Sequence, residues 1–504
     1  MSSLRMRDLA LALSLANLSF FDAWHNLVYA DKFFMPTWTW VDFVALFLNV
    51  LLFTLLYFFL LGIGRRFPHR PALAFHRWLP LISVAAFLQL LFHYYESQLD
   101  EIPITRETVL LGAVIVLAAA AVMRRWHRPV LNATELFALW LLAFVPVTSA
   151  QAAWQLWKQP AREVRRQQSG LAAPPASSVN RPRLVWLVFD ELDGRTAFHQ
   201  RPPGLQLPEF DRLCADSLCA SNAFQAGTTT MQAMTSMIVG KQTFKLQPSG
   251  PDEVLVSFQP DKPPNIPLSS QPNLFARARA AGVTTAVVGW FFPYCRVFGS
   301  ALTQCVWQAA GAFSPEARPS ILEAMAHQLY GLSPLQKRFE HREEHRIQVE
   351  RACRAAADQS LGLVLVHLNV PHRPPIYDRR TGDYTLFSIR RDWYLDNLVL
   401  ADLTLGEVRR AMEAAGVWKD TTVLVTADHA LRWYVDFNTE TDAHIPFLFK
   451  PAGDSPGLNY QTPFNAIATS ELILAVLRGE VTDAASGARW LDQHAPRPPT
   501  LIYR

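Results

Sequence analysis

Arg183-Leu-Val-Trp-Leu-Val-Phe-Asp190-Glu191-Leu-Asp193 is the stretch whose reading decides the fold. Its six apolar residues, Leu184 to Phe189, read as a strand buried on both faces, as in a parallel sheet. Two carboxylates follow at once. Open α/β sheets bind ligands beyond the carboxyl ends of their strands, so Asp190 and Glu191 stand where a metal or phosphate site would be built. A solvated strand end would look the same from this stretch alone. A second run, Thr421-Thr-Val-Leu-Val-Thr-Ala-Asp428-His429, ends in the same way. Two buried strands, each closing in metal-ligating side chains, argue for a site.

The chain has 504 residues, half of them hydrophobic, and 15 Trp. The apolar excess lies in the first third, which is a membrane signature. Residues 1–168 carry 15 basic and 10 acidic side chains, which leaves 32 against 33 for the remainder. The basic balance therefore belongs to the membrane part, and no nucleic-acid partner is expected. Five Cys in a chain of this length exclude a disulfide-scaffold class.

Five apolar segments are expected to span, at about 9–29, 41–63, 78–95, 108–123 and 136–153. Arg5 and Arg7 precede the first. Arg65, Arg66, Arg70 and Arg77 lie between the second and third, and Arg124, Arg125 and Arg128 between the fourth and fifth. The other loops are neutral to acidic. The positive-inside rule then puts the N-terminus in the cytoplasm and everything after about 154 outside. The first segment reads as a retained span, because no small-residue cleavage site follows it. Trp154 and Trp157 suit the outer interface, and 155–182 reads as an interfacial helix and linker rich in Ala, Pro, Ser and Gln. The expected domains are thus a five-helix transmembrane domain over 1–154, the linker over 155–182, and an extracytoplasmic domain over 183–504.

From 183 onward, strands and helices alternate as in a doubly wound, mostly parallel α/β domain. Helices are expected over 207–217, 273–281, 393–415 and 470–477, and strands over 283–290, 361–368, 421–427 and 445–449. Between the first two strands lies Gly227-Thr228-Thr229-Thr230-Met-Gln-Ala-Met-Thr235-Ser236-Met-Ile-Val-Gly240. A hydroxyl at a helix N-terminus meets unpaired N–H groups and the positive end of the dipole. That setting favours an alkoxide and an incoming anion, although Thr also caps helices routinely.

The order of these motifs resembles the sulfatase-like branch of the alkaline-phosphatase superfamily. Sulfatases carry Cys-x-Pro-Ser-Arg, with a Thr-Gly pair ending ten residues after the Cys. Counting back ten from Gly240 gives Thr230, with Gln232, Ala233 and Met234 where Pro, Ser and Arg would be. The formylglycine precursor is absent. The Thr at that position resembles the membrane-anchored types, the phosphoethanolamine transferases and lipoteichoic acid synthases, in which five spans precede the catalytic domain. The resemblance implies one or two divalent metal ions, Zn or Mn, held by Glu191, Thr230, Asp428 and His429, with Asp190 as a further carboxylate. It also implies substrate contacts from His372 in Pro371-His372-Arg-Pro, from His444, and from the nearby His367.

On this resemblance the chain is a phosphoryl-group transferase. Thr230 would carry a head group from a membrane-lipid donor to a glycan or lipid acceptor. The other readings are a phosphoester or sulfate-ester hydrolase and a non-catalytic sulfatase-like binding domain. Outside the membrane, a bridge between Cys295 and Cys305 is expected. Cys214 and Cys219, read as sharing one helix at i and i+5, are expected to remain core thiols with Cys353. The topology is checked by fusing a reporter to the C-terminus. An alkaline-phosphatase fusion is expected to be active and a fluorescent reporter that folds only in the cytoplasm to be dark; the reverse pattern overturns the basic-loop reading.

Overall fold

The computed structural model describes residues 3–28, 39–66, 77–96, 106–168, 182–249, 253–308, 320–333, 335–388, 392–432 and 443–498. The chain divides into two compact units. One comprises Met1–Ala30, Thr37–Glu163 and Ala317–Gln336; the other comprises Asp31–Pro36, Val164–Glu316 and Lys337–Arg504.

The second unit is built on one sheet. Its strands in chain order are β1 (Arg183–Asp190), β2 (Leu218–Ala220), β3 (Thr285–Trp290), β4 (Gln304–Gln308), β5 (Leu363–Pro371), β6 (Thr421–Ala427), β7 (Phe447–Lys450) and β8 (Leu458–Tyr460). The spatial order is β8-β2-β7-β6-β1-β5-β3-β4, and β7 runs against its neighbours β6 and β2. β1 pairs in parallel with β6 on one side and β5 on the other, so it is central and buried from Leu184 onward. Burying each of its large side chains contributes about 1.5–3 kcal/mol. Polar partners within the strand and at its start keep this apolar ribbon in register. Trp186 donates from its indole N–H to Thr426 Oγ1 at 2.8 Å. At the start of β1 the Arg183 guanidinium donates to the carbonyls of Ala356 and Leu361 and to Thr421 Oγ1, which ties three elements together.

Register decides what meets at the far end. Phe189 lies opposite Ala427 on one side and Leu368 on the other, so Asp190 and Asp428 leave adjacent strand ends together. A shift in the β1–β5 pairing then sets Asp190 against Pro371. His372 therefore follows on the third neighbouring strand end.

The expected helices at 207–217, 273–281, 393–415 and 470–477 appear as Pro208–Ala215, Leu274–Ala280, Trp393–Ala414 and Thr469–Leu477. A long helix that sequence periodicity did not reveal covers Gln336–Ala357. Its buried face carries Glu340, His341, Glu344, His345 and Gln348, so an apolar stripe is missing from its pattern.

The first unit contains the helices Ser3–Ser19, Phe21–Val28, Trp40–Arg66, Leu79–Glu96, Arg106–Trp140 and Phe144–Gln168. Five membrane spans were expected. Among the described residues only two helices are long and apolar enough to cross a membrane, Trp40–Arg66 and Arg124–Trp157. The first apolar segment is broken at Phe20, between two helices. Arg124, Arg125 and Arg128, expected in a loop, are instead helical, and the helix bends at Trp126 near Pro129. The fifth segment thereby joins its basic flank into one long helix. Most of the expected linker, residues 169–181, lies outside the described residues. The helix Ile321–Tyr330 belongs to this first unit.

Cys295 and Cys305 are bonded. Cys214 and Cys219 are bonded too, against the expectation of free thiols, and Cys353 is free. The reason is local: the helix stops at Ala215 and Leu218–Ala220 is a strand, so the chain turns back and brings the two Cα atoms to 5.2 Å. A non-reducing digest of protein taken from its native compartment is expected to yield two linked peptides, Cys214 with Cys219 and Cys295 with Cys305. Free thiols at either pair contradict the pairing.

Candidate active site

Asp190, Asp428 and His429 each offer a ligand atom within 4.8 Å of the others, and all three are buried. His429 Nε2 lies 3.3 Å from Asp428 Oδ2 and 3.9 Å from Asp190 Oδ1. His429 Nδ1 donates to the Ala430 carbonyl at 2.9 Å, which leaves Nε2 as a lone pair turned toward the carboxylates. Asp428 Oδ1 accepts the backbone N–H of His429 and of Glu191. Its other oxygen has no hydrogen-bond partner, and neither oxygen of Asp190 has one.

Two carboxylates stripped of water in one pocket repel each other. Burial, then the charges of Asp428 and Glu191, push Asp190 well above the carboxylate range. Burial also acts to raise Asp428, but His429, His367, Thr230 and the Glu191 N–H outweigh it and hold this carboxyl low. Unpartnered buried oxygens beside an oriented imidazole lone pair are the donor set of a divalent cation, with oxygen and nitrogen ligands that suit Zn or Mn. The residues fit such an ion.

Thr230 begins the helix Thr230–Val239, with its Oγ1 at 3.4 Å from His429 Nε2. The three threonines have different surroundings. Thr229 is the N-cap and accepts the Gln232 N–H, while the Thr228 hydroxyl meets Gln232 Oε1 at 3.0 Å. Thr230 alone among them is buried and turned to the cluster. Gly227 permits the turn, since a Cβ there would stand 2.6 Å from Ala233 N. Gly240 closes the helix at φ 70°, where a side chain would be strained.

Glu191 is buried beside the cluster and pairs with Arg432, Oε1 to Nε at 3.2 Å. The resemblance had favoured it over Asp190 as the metal carboxylate, whereas the three-residue cluster contains Asp190. Glu191 holds φ 63°, a strained backbone for a side chain of this kind. Tyr394 secures the turn by donating to the Glu191 carbonyl at 2.7 Å and accepting the Asp193 N–H at 2.9 Å.

His367 and His372 flank the cluster from β5 and the loop after it. His367 is fully buried, and its Nδ1 meets the Tyr294 hydroxyl at 2.8 Å. Burial brings this imidazole down to about 4, partly offset by Asp428. Gly289 makes room for Tyr294, whose Cδ2 would stand 2.3 Å from an added Cβ. Burial also lowers His372, with Glu191 opposing, and its Nδ1 donates to the Arg373 carbonyl. Asn397 braces the loop by donating to the carbonyls of Pro371, His372 and Pro374. His444 is not one of the three clustered residues. Its ring lies against Phe224 at a tilt, centroids 4.2 Å apart, and its carbonyl accepts the Gly194 N–H.

The sequence reading missed His341, which donates from Nε2 to the His372 carbonyl at 3.2 Å, and Trp290, whose ring lies 5.5 Å from that of His372. It also missed Arg432, for which the signal was its place three residues after His429. Replacing Asp428 or His429 by Ala is expected to abolish binding of Zn or Mn to the purified chain, measured by atomic emission with the fold followed by circular dichroism. One equivalent of metal retained by a folded Asp428→Ala variant overturns the donor set.

The family model described as Sulfatase matches residues 182–468. No curated protein sequence matches the chain. Similar solved structures include Ps i-CgsB in complex with k-i-k-neocarrahexaose, at 14% identity over 60% of this chain and 73% of that one, TM-score 0.44. Another is a protein in the alkaline phosphatase superfamily from Vibrio parahaemolyticus, at 16% identity over 60% and 68%, TM-score 0.40. A third is the phosphonate monoester hydrolase of Agrobacterium radiobacter, at 14% identity over 59% and 74%, TM-score 0.40. Asp190, Thr230, Asp428 and His429 all fall within the matched stretch, and since that stretch exceeds half of the 504 residues, the chain belongs to the sulfatase family.

Proposed function

We propose that this chain is a membrane-anchored, metal-dependent phosphoryl-group transferase that moves a phospho-head group from a membrane lipid to an extracytoplasmic glycan or lipid acceptor, with Thr230 as the nucleophile. The observation that carries the reading is the Thr230 hydroxyl at a helix N-terminus, 3.4 Å from His429 Nε2, where sulfatases carry the formylglycine precursor. Without that precursor, the sulfate-ester route of the family lacks its nucleophile. The apolar helices Trp40–Arg66 and Arg124–Trp157 support a lipid as donor. Two disulfides in the catalytic unit support an oxidising, extracytoplasmic compartment.

Asp190, Asp428, His429 and Thr230 would hold the metal, with Glu191 alongside; one ion fits the three-residue cluster. A bound divalent cation lowers the pKa of a coordinated hydroxyl and neutralises charge that develops on the phosphoryl oxygens. Thr230 Oγ attacks phosphorus in line while the bond to the lipid's glyceryl oxygen breaks, and the proton given up by the Thr230 hydroxyl passes to that oxygen, which leaves as the alcohol. The N-terminal N–H groups of the helix Thr230–Val239 face the phosphoryl oxygens. Arg432, already against Glu191, adds a guanidinium for a second oxygen. His372 presents an imidazole kept neutral by burial, suited to take the proton of the acceptor hydroxyl. The acceptor then displaces Thr230 and regenerates the free hydroxyl.

The test is mass spectrometry of the full chain in lipid, quenched after exposure to isotope-labelled phospholipids. A head-group phosphate on Thr230 together with released diglyceride is expected, and none in Thr230→Ala. Thr230→Ser keeps the hydroxyl and part of the activity. Thr229→Ala loses only a cap, about 0.5–2 kcal/mol of stability. An adduct on Thr229 moves the nucleophile, and turnover without any adduct replaces the transferase by a hydrolase using water directly.

A further inference from the structure

The helix Ile321–Tyr330 interrupts the catalytic sequence yet packs within the first unit. Its partner is the long apolar helix Trp40–Arg66. Ile321, Ala324 and Met325 lie against Val41 and Ala45, and Leu329 joins the cluster of Phe43, Leu46 and Val50. Polar groups fix the seat. Asn49 is fully buried in an apolar helix, and its amide donates to the Met325 carbonyl and to Gln328 Oε1, each at 3.1 Å. Gln328 Nε2 in turn donates to the Asp42 carbonyl at 2.9 Å. These bonds reach from Asp42 to Asn49, about 10 Å along the helix at 1.5 Å per residue.

All of these contacts fall in the half of Trp40–Arg66 that begins at Trp40. The other end carries Arg65 and Arg66, which the positive-inside rule assigns to the cytoplasm. A catalytic-domain segment docked at the Trp40 end therefore lies at the outer membrane face. The same level of the unit is ringed by exposed amphipathic and apolar side chains. Ala152 and Leu156 pack with Phe43, Leu46 and Val50, which sets Trp154 and Trp157 beside them; Trp40 and Trp157 are 54% and 72% exposed. On the inserted segment Leu322 is 77% exposed and Leu332 43%. A leucine left outward on a helix whose other face is committed, and another in the turn after it, cost hydrophobic free energy in water, and tryptophans at a membrane boundary are the expected companions.

We propose that Ile321–Tyr330 and the turn after it form a membrane-seating element, with Leu322 and Leu332 set in the headgroup and upper acyl layer of the outer leaflet beside Trp40, Trp154 and Trp157. The partner is the lipid bilayer. The element would anchor the catalytic sequence to the membrane at a second point, independent of the connection through 155–182. The proposal rests on the membrane reading above. Its own content is the place of residues 321–333.

The test uses the full chain in phosphatidylcholine vesicles, with Cys353→Ser as background and single cysteines carrying a bimane fluorophore. Leu322→Cys and Leu332→Cys are the reporters, Leu56→Cys marks the span, and Gln247→Cys on the catalytic unit marks water. Both reporters are expected to lose at least half of their emission with headgroup-attached nitroxide lipid, and to be protected severalfold from aqueous iodide relative to Gln247→Cys. Asn49→Ala with Gln328→Ala is expected to raise the iodide quenching of Leu322→Cys toward the water value. Iodide quenching of both reporters without nitroxide quenching, while Leu56→Cys is quenched by lipid nitroxide, overturns the seating element and leaves the membrane reading standing. Lipid quenching absent at Leu56→Cys as well overturns both.

Discussion

Two carboxylates and an imidazole converge at adjacent strand ends, and the rest of the catalytic unit is arranged around that convergence. Asp190 and Asp428 leave neighbouring parallel strands with both oxygens of Asp190 and one of Asp428 unpartnered, and His429 turns its free ring nitrogen toward both. In water such a group would be unremarkable. Away from water its charges demand compensation, and a buried ion pair survives only with good geometry and satisfied hydrogen bonds. The backbone contributes two N–H donors to Asp428, and the Ala430 carbonyl fixes the tautomer of His429. What remains unsatisfied is shaped for a cation.

The strained turn after β1 belongs to the same arrangement. Glu191 takes a left-handed backbone so that its N–H can reach Asp428 while its side chain reaches Arg432. Such a conformation persists only where the surroundings over-determine it. Tyr394, from the buried helix Trp393–Ala414, supplies the constraint by bonding to both sides of the turn. That helix also sends Asn397 to the loop carrying His372, so one rigid element positions two sides of the site. Rigid support of this kind is what positional catalysis requires.

The N-terminal unit shows where composition alone misleads. Apolar runs were visible, but the length of a helix and the place of its breaks depend on local backbone geometry. The bend at Trp126 and the joining of the basic flank to the fifth segment turn two expected spans and a loop into a different pattern. A polar residue such as Asn49 within an apolar run reads as a defect until its partners are known, and those partners come from residues nearly three hundred positions later.

Asp190, Thr230, Asp428 and His429 could be picked out from the chain because each stands beside a strong local signal: a buried strand's end or a helix start with Gly240 at its close. Period and punctuation are local, so sequence carries them, and with them the parallel sheet at the centre of the fold. The choice among three adjacent threonines rested on the sulfatase resemblance, whose motif counts ten residues back from the closing Gly, here from Gly240 to Thr230. Other features were decided only in three dimensions. The helix Gln336–Ala357 buries a polar face, so His341 gave no periodic signal before its bond to the His372 carbonyl was seen. Whether Asp190 or Glu191 joins the cluster depends on one backbone angle after β1, and the Cys214–Cys219 pair on where one short helix stops. Local periodicity determined the elements, while long-range packing decided which polar groups they would leave facing one another.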